Sequence, residues 1–109
     1  YNIVDRVAEQ QLLPVAQERG IATMINRPYQ RGSLFARTRG RDLPDVAADI
    51  DVTSWAQFFL KFILSHPGVT NIIPATSKVQ HMEDNMKANF GRVPDADQRE
   101  EMLRVFASL

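Results

Sequence analysis

The residues best placed for chemistry lie in the segment Val69–Asn85, where an apolar run ends and the polar turn Ala75–Ser77 leads into a helical pattern. The first turn of a helix has unpaired N–H groups and the positive end of the helix dipole, so such a turn favours an anion. Ser77 and Gln80 have the spacing of a capping box, which predicts that the helix begins at Lys78. The segment therefore predicts a phosphate-binding turn.

A second candidate for anion binding is the irregular stretch Asn26–Asp51, which has several arginines before its first acidic residue, Asp42. A loop this long in a compact chain is usually functional or mobile. Guanidinium groups bind phosphate through paired hydrogen bonds, so one interpretation is an arginine-rich lid over an anionic ligand. The alternative is a solvated loop with scattered charge. The arginines concerned are Arg27, Arg31, Arg37, Arg39 and Arg41.

The overall composition argues against several classes of partner. Thirteen basic and thirteen acidic residues cancel, so neither a nucleic acid nor a membrane surface is predicted as a partner. There is no cysteine, which removes disulfides and thiolate ligands, and no metal site is predicted. Because the chain starts at Tyr1 inside a predicted strand, we expect an upstream part to be missing. The cytoplasm is therefore assumed only by default, and the periplasm is the alternative.

The elements that must position these residues alternate between strands and helices. Apolar runs predict three strands, at Tyr1–Val4, Ile21–Ile25 and Thr70–Ile73. Helical spacing and capping signals predict helices at Arg6–Arg19, Ser54–Ser65 and Lys78–Asn89, and a last helix after Asp95. Strand, helix and strand in close succession form a βαβ unit with parallel strands.

The helices carry further signals. Pro14 falls inside the first predicted helix and should bend it or remove a hydrogen bond. Leu34 and Phe35 are expected to anchor the arginine-rich loop on the core, and Asp45–Ile50 to form a short helical turn. The Ser54–Ser65 helix is apolar on most sides, which predicts that it is buried. Two other helices have one apolar stripe each, formed by Val7, Ala8, Leu12, Val15 and Ala16, and by Val79, Met82, Met86 and Phe90.

The order of elements predicts the α/β class with about three parallel strands and their helices. Three strands cannot close a barrel, and an open parallel sheet of three strands has two unpaired edges. Residues 1–109 are therefore predicted to form a single incomplete domain. The domain is either a fragment or a unit that another chain completes.

The segments Tyr1–Arg6, Leu12–Pro14, Glu18–Ile21, Leu64–Thr70 and Glu83–Asn85 stand in an order and at spacings that resemble the aldo-keto reductase family. The resemblance covers essentially the whole chain. It implies the C-terminal part of a (β/α)8 TIM barrel, with strands six to eight, their helices and the C-terminal helix. The implied partner is the N-terminal part of the same barrel. Further matching positions are Ala8, Glu9, Pro28, Gly32, Leu34, Ala56, Gln57, Ile73 and Pro74.

The resemblance implies an oxidoreductase that interconverts a small carbonyl substrate and an alcohol with NADP or NAD. In the family, a tyrosine, a lysine, an aspartate and a histidine perform the chemistry on the first half of the barrel. None of the four matches a position here, so no catalytic residue is assigned and the segment is expected to be inactive alone.

Cofactor contacts are implied at two loops. After strand seven they are Asn26, Arg27, Tyr29 and Arg31, and after strand eight they are Thr76, Ser77, His81, Asp84 and Asn85. The family stacks an aromatic residue on the nicotinamide where this chain has Asn26. Ala75 and His81 replace the basic pair that binds a 2′-phosphate, which weakens the case for NADP over NAD.

The alternative is a protein without catalytic function. In this interpretation the chain is a stand-alone α/β module that forms homo-oligomers through its exposed strand edges.

Overall fold

The computed structural model describes all residues from 1 to 109, and it contains six α-helices and two strands. In chain order the elements are α1 (Leu12–Arg19), β1 (Met24–Ile25), α2 (Ser33–Thr38), α3 (Val46–Asp49), α4 (Trp55–Leu64), β2 (Asn71–Ile72), α5 (Val79–Met86) and α6 (Ala96–Ala107). Short 3₁₀ turns lie at Val7–Glu9, Gln30–Gly32 and Lys87–Asn89. No helix has the length and apolar character that crossing a membrane requires.

The two strands form one parallel pair, in which Ile25 lies opposite Ile72. The N–H of Asn71 donates to the carbonyl of Thr23, and the N–H of Ile73 to that of Ile25, each over 3.0 Å. Helix α4 lies between the strands in sequence, so β1, α4 and β2 form a parallel crossover unit. The predicted α/β class is confirmed.

The predicted strand at Tyr1–Val4 is not formed. The side-chain oxygen of Asn2 accepts hydrogen bonds from the N–H groups of Val4 and Asp5 over 3.0 and 2.9 Å. The N–H of Asn2 also donates to the carbonyl of Asp5. This turn takes up the backbone groups that a strand would pair, so local side-chain bonding prevails over strand propensity.

The first predicted helix is divided into a 3₁₀ turn and α1, and the expected effect of Pro14 is wrong. Pro14 is the third residue of α1, which begins at Leu12. The N–H groups of a helix's first turn have no acceptor within the helix, so a proline there removes no hydrogen bond. Gly20 ends the helix in the left-handed conformation, as expected.

Of the three predicted capping boxes, two correspond to side-chain caps in the structure. The Ser54 side chain accepts from the Gln57 N–H at the start of α4, and Asp95 forms a complete capping box with Gln98 at the start of α6. The predicted box at Ser77 is wrong, because α5 begins one residue later, at Val79. The N–H of Lys78 donates instead to the hydroxyl of Thr76, over 3.2 Å.

Helix α4 is the centre of the core, as its all-round apolar pattern predicts. Phe58, Phe59, Phe62 and Ile63 are fully buried. They belong to the same cluster as Leu13, Leu34, Ile50, Met102 and Phe106 from the loops and helices around them. The predicted anchor at Leu34 and Phe35 and the helical turn α3 are both confirmed.

Of two predicted apolar stripes, the one on α5 is exposed and the N-terminal one is buried only in part. On α5 and its continuation, Val79 is 75% exposed and Phe90 is 71% exposed, and Met82 and Met86 are also open to solvent. On the N-terminal stripe, Val7, Leu12 and Val15 are exposed, whereas Leu13 and Ala16 face the core. These apolar faces have no packing partner within residues 1–109.

Candidate functional site

A cavity of about 710 Å³ lies where the loops after β1 and β2 meet the first turn of α4 and one side of α5. It is lined by Arg27, Pro28, Tyr29, Arg31, Gly32, Phe35, Ser54, Trp55, Ala56, Ile73, Pro74, Ala75, Thr76, His81, Asp84 and Asn85. The carboxyl ends of neighbouring parallel strands point to one edge of a sheet, so the loops that follow them converge there. The β1–β2 pairing thus brings the arginine-rich loop and the turn Ala75–Ser77 to one site.

Seven of the nine predicted contact residues line this cavity: Arg27, Tyr29, Arg31, Thr76, His81, Asp84 and Asn85. The other two, Asn26 and Ser77, are exposed beside it and do not belong to its lining.

The loop after β1 has an unusual backbone. Arg27, Gln30 and Arg31 have φ angles of 52°, 50° and 56°, in the left-handed region that residues other than glycine rarely occupy. Gly32 follows with a φ of 86°. Such strain persists only where the surrounding structure fixes it, and it is concentrated at functional sites. The conformation therefore marks this loop as a candidate binding element.

The charges in the cavity favour an anion. Arg27 and Arg31 both line it, and neither belongs to any of the four ion pairs of the chain. The carboxylate of Asp84, the acidic group in the lining, accepts from Ser54 Oγ over 2.6 Å and from Gln57 Nε2 over 2.7 Å. The site thus offers two guanidinium groups without carboxylate partners.

Tyr29 connects the two sides of the cavity. Its phenol donates to the side-chain oxygen of Asn85 over 2.7 Å. Burial, and to a smaller extent the negative charge of Asp84, raises the pKa of the Tyr29 phenol, so it remains a donor at neutral pH. With its oxygen occupied, Asn85 has its Nδ2 group free to bind a ligand. Every fully buried side-chain nitrogen or oxygen in the chain has a hydrogen-bond partner. Because the Nδ2 atom of Asn85 has none, it is accessible to solvent.

Several lining residues were not identified from the sequence as site residues. Ser54 caps α4 and also donates a hydrogen bond that orients Asp84. Trp55 packs against the core and also lines the cavity, and its indole N–H donates to the carbonyl of Arg41 over 2.9 Å. The signal available was the cap itself, because it marks a helix N-terminus, where free N–H groups and the helix dipole favour an anion.

A cavity with cationic side chains at the carboxyl ends of parallel strands is typical of phosphate sites in α/β barrel proteins. The family model described as the aldo/keto reductase family matches residues 1–102. The chain therefore belongs to the aldo/keto reductase family.

Known relatives agree with this assignment. The chain is similar to an uncharacterized oxidoreductase of Schizosaccharomyces pombe, with 36% identity over 88 residues, which are 81% of this chain and 28% of that protein. It is also similar in fold to two solved structures of this family. One is the thermostable aldo-keto reductase Tm1743 in complex with the inhibitor epalrestat, with a TM-score of 0.70 and 24% identity. The other is the aldo-keto reductase AKR11C1 of Bacillus halodurans in its holo form, with a TM-score of 0.67 and 20% identity.

The match to these structures is partial on their side. The two matches include 96% and 97% of the residues of this chain. They include only 37% and 40% of the residues of the two solved chains. The fold is thus α/β and similar to a part of an aldo-keto reductase barrel.

Proposed function

We propose that the chain is the C-terminal, cofactor-binding part of an NAD(P)-dependent oxidoreductase that interconverts a small carbonyl compound and an alcohol. The observation that carries the proposal is the cavity, which brings together seven of the nine predicted cofactor contacts. Bound NADP or NAD would supply or accept the hydride. This chain contributes binding and orientation and no catalytic residue, so it is inactive alone.

The residues of the cavity fit a dinucleotide. The guanidinium groups of Arg27 and Arg31 suit the pyrophosphate, because paired N–H donors match phosphate oxygens. Thr76 adds a hydroxyl on the opposite side. The free Nδ2 group of Asn85 suits a ring nitrogen of adenine, which is an acceptor. Asp84 takes an indirect role, because Ser54 and Gln57 occupy its carboxylate oxygens.

The N-terminal part of the barrel is the proposed partner of this segment. Val79, Met82 and Met86 have the spacing of a buried face on α5, and Leu12 and Val15 lie on one side of α1, yet all five are exposed. Exposed apolar side chains grouped on one face often mark an interaction surface. In the proposed complete barrel, flanking helices cover them, so residues 1–109 act as one incomplete domain.

Replacing Asn85 tests the adenine contact in the complete protein. We expect Asn85→Ala to weaken binding of the preferred nicotinamide dinucleotide about fivefold, since one net hydrogen bond is worth about 1 kcal/mol. Fluorescence titration with NADPH and with NADH measures the affinity and also establishes which cofactor is preferred. Asn89→Ala, at an exposed position outside the cavity, is the matched control.

Two results would contradict the proposal. The first is a complete protein that binds neither dinucleotide. The second is carbonyl reduction by residues 1–109 alone, which would show that the chemistry does not depend on an N-terminal part. Self-association of this segment without dinucleotide binding would instead support the stand-alone module.

A further inference from the structure

Asn2 does not line the cavity, yet its side chain contacts the loop that does. The residue is only 1% exposed, which is unusual for an asparagine. Its Nδ2 group donates to the carbonyl of Arg27 over 3.0 Å and to the side-chain oxygen of Gln30 over 2.7 Å. A buried polar group with such contacts connects the start of the chain to the loop after β1.

The orientation of the Asn2 amide is fixed by its partners. The Oδ1 atom accepts from the N–H groups of Val4 and Asp5, and both hydrogens of Nδ2 point to oxygen acceptors. Rotating the amide by 180° would set NH₂ against two N–H donors and an oxygen against two oxygens. All four hydrogen-bonding positions of the side chain are therefore used in one arrangement only.

The two loop residues that Asn2 contacts are among the strained ones. Arg27 and Gln30 both have left-handed backbones, and the N–H of Gln30 donates to the same Arg27 carbonyl that Asn2 contacts. A left-handed conformation in a residue other than glycine is strained and needs contacts from the surrounding structure to persist. Asn2 supplies two such contacts from outside the loop.

We propose that Asn2 is a positioning residue for the dinucleotide site. It holds the segment Arg27–Gly32 in the strained conformation in which the guanidinium groups of Arg27 and Arg31 line the cavity. This inference rests on the proposed function only in taking the anion to be the cofactor's pyrophosphate. Without Asn2, the loop relaxes and the two cations no longer converge on the phosphates.

The test uses two substitutions in the complete protein, because one alone is ambiguous. Asn2→Asp keeps the oxygen that accepts from Val4 and Asp5, and it replaces both donors by an acceptor. Since it also adds a negative charge, neutral Asn2→Ala is measured beside it, and Asn89→Asp controls for the change in net charge. Gln30→Ala removes one of the two loop contacts and leaves Asn2 in place, so it serves if the Asn2 variants do not fold.

The expected result is a change in cofactor binding without a change in turnover. We expect both Asn2 variants to raise the Kd and the KM for the dinucleotide about tenfold. The kcat at saturating cofactor stays within about twofold, because no reacting group is altered. Gln30→Ala gives a smaller rise in the same direction. The dependence of binding on salt also weakens, because fewer cations engage the phosphates.

Other outcomes would overturn the inference. If Asn2 supports folding only, its variants will have a lower kcat per mole of enzyme and an unchanged KM for the cofactor. An effect of Asn2→Asp that Asn2→Ala does not share would assign the change to charge. If the unaltered complete protein binds no dinucleotide, the proposed function fails first, and this result is distinct from unchanged affinity in the variants.

Discussion

Arg27 and Arg31 are the residues that give the cavity its positive character. Both sit on a left-handed backbone, both line the cavity, and both lack a carboxylate partner. Arg19, Arg39 and Arg41 also have no carboxylate partner, but they lie outside the cavity. Two unpaired guanidinium groups held at one strained loop are the chemical basis for proposing a phosphate site here.

Removing either charge should weaken binding of the cofactor. We expect Arg27→Ala and Arg31→Ala each to raise the Kd of the complete protein for the dinucleotide about tenfold, because each removes a charge-assisted hydrogen bond. Fluorescence titrations at low and high salt provide the measurement, and the salt dependence should fall with each variant. Arg39→Ala, at the end of α2 and outside the cavity, should have no effect. Equal losses in all three variants would indicate a general charge effect.

Tyr1 gives a prediction for alkaline pH. Its phenol donates to the carboxylate of Glu9, and burial, then this hydrogen bond, raise its pKa from 10.0 to about 12. The folded state therefore holds the phenolic proton more tightly than the unfolded state. This contribution to stability is complete below pH 10 and is lost as the pH rises towards 12.

Tyr1→Phe should reduce this pH dependence. Urea unfolding at pH 9 and pH 11 should show a smaller loss of stability between the two conditions in the variant than in the original protein. Part of the loss remains, because burial also raises the pKa of Tyr29. An identical loss of stability in both proteins would show that folding does not raise the pKa of the Tyr1 phenol.

At the residue scale, the residues that line the cavity could be predicted better than the residues that support them. Arg27 could be predicted from its charge, and Asp84 and Asn85 from the resemblance to the aldo-keto reductase family. Asn2 and Gln57 could not, because their roles depend on contacts with residues 25 and 27 positions away. No local sequence pattern indicates that residues so far apart in the chain are in contact.

At the scale of elements, one arginine holds several segments together. Arg99 on α6 donates to the carbonyl of Phe62 over 2.6 Å and to Glu9 over 2.8 Å. Its guanidinium also lies 4.2 Å from the centre of the Phe62 ring. These contacts join α6 to the end of α4 and to the N-terminal 3₁₀ turn.

The contacts of Arg99 with Phe62 and Glu9 should stabilise the fold far more than a surface ion pair on the same helix does. We expect Arg99→Ala to lower the free energy of unfolding by about 2 kcal/mol, since it leaves partly buried acceptors unpaired. Arg104→Ala, which removes an exposed pair with Glu101, should cost less than about 0.5 kcal/mol. Urea denaturation measures both changes, and equal losses would contradict the role given to these contacts.

Element boundaries were predictable where a local signal fixed them. Ser54 and Asp95 mark the starts of α4 and α6 because their side chains cap the backbone directly. The same spacing at Ser77 was misleading, because the neighbouring Thr76 hydroxyl accepts from Lys78 and delays the helix by one residue. The strand predicted at Tyr1–Val4 failed for a similar reason, the turn that Asn2 stabilises.

At the scale of the molecule, the sequence predicted the burial of α4 correctly and that of α5 wrongly. A helix that is apolar all round is buried by its own chain, as Phe58 and Phe62 are. A helix with one apolar stripe needs a neighbour on that side, and Val79, Met82 and Met86 have none here. The exposed stripe and the partial coverage of the relatives support the same proposal, that a further part of the barrel covers it.

Hydrogen exchange of the complete protein, with and without saturating nicotinamide dinucleotide, tests the central claim most directly. We expect the cofactor to slow exchange of the backbone amides in two segments of this chain, residues 27–32 after β1 and residues 75–85 from the turn after β2 into α5. The amides of α6, which lies outside the cavity, should change little. Protection confined to segments outside residues 1–109, with no change at these two loops, would contradict the assignment of this chain as the cofactor-binding part.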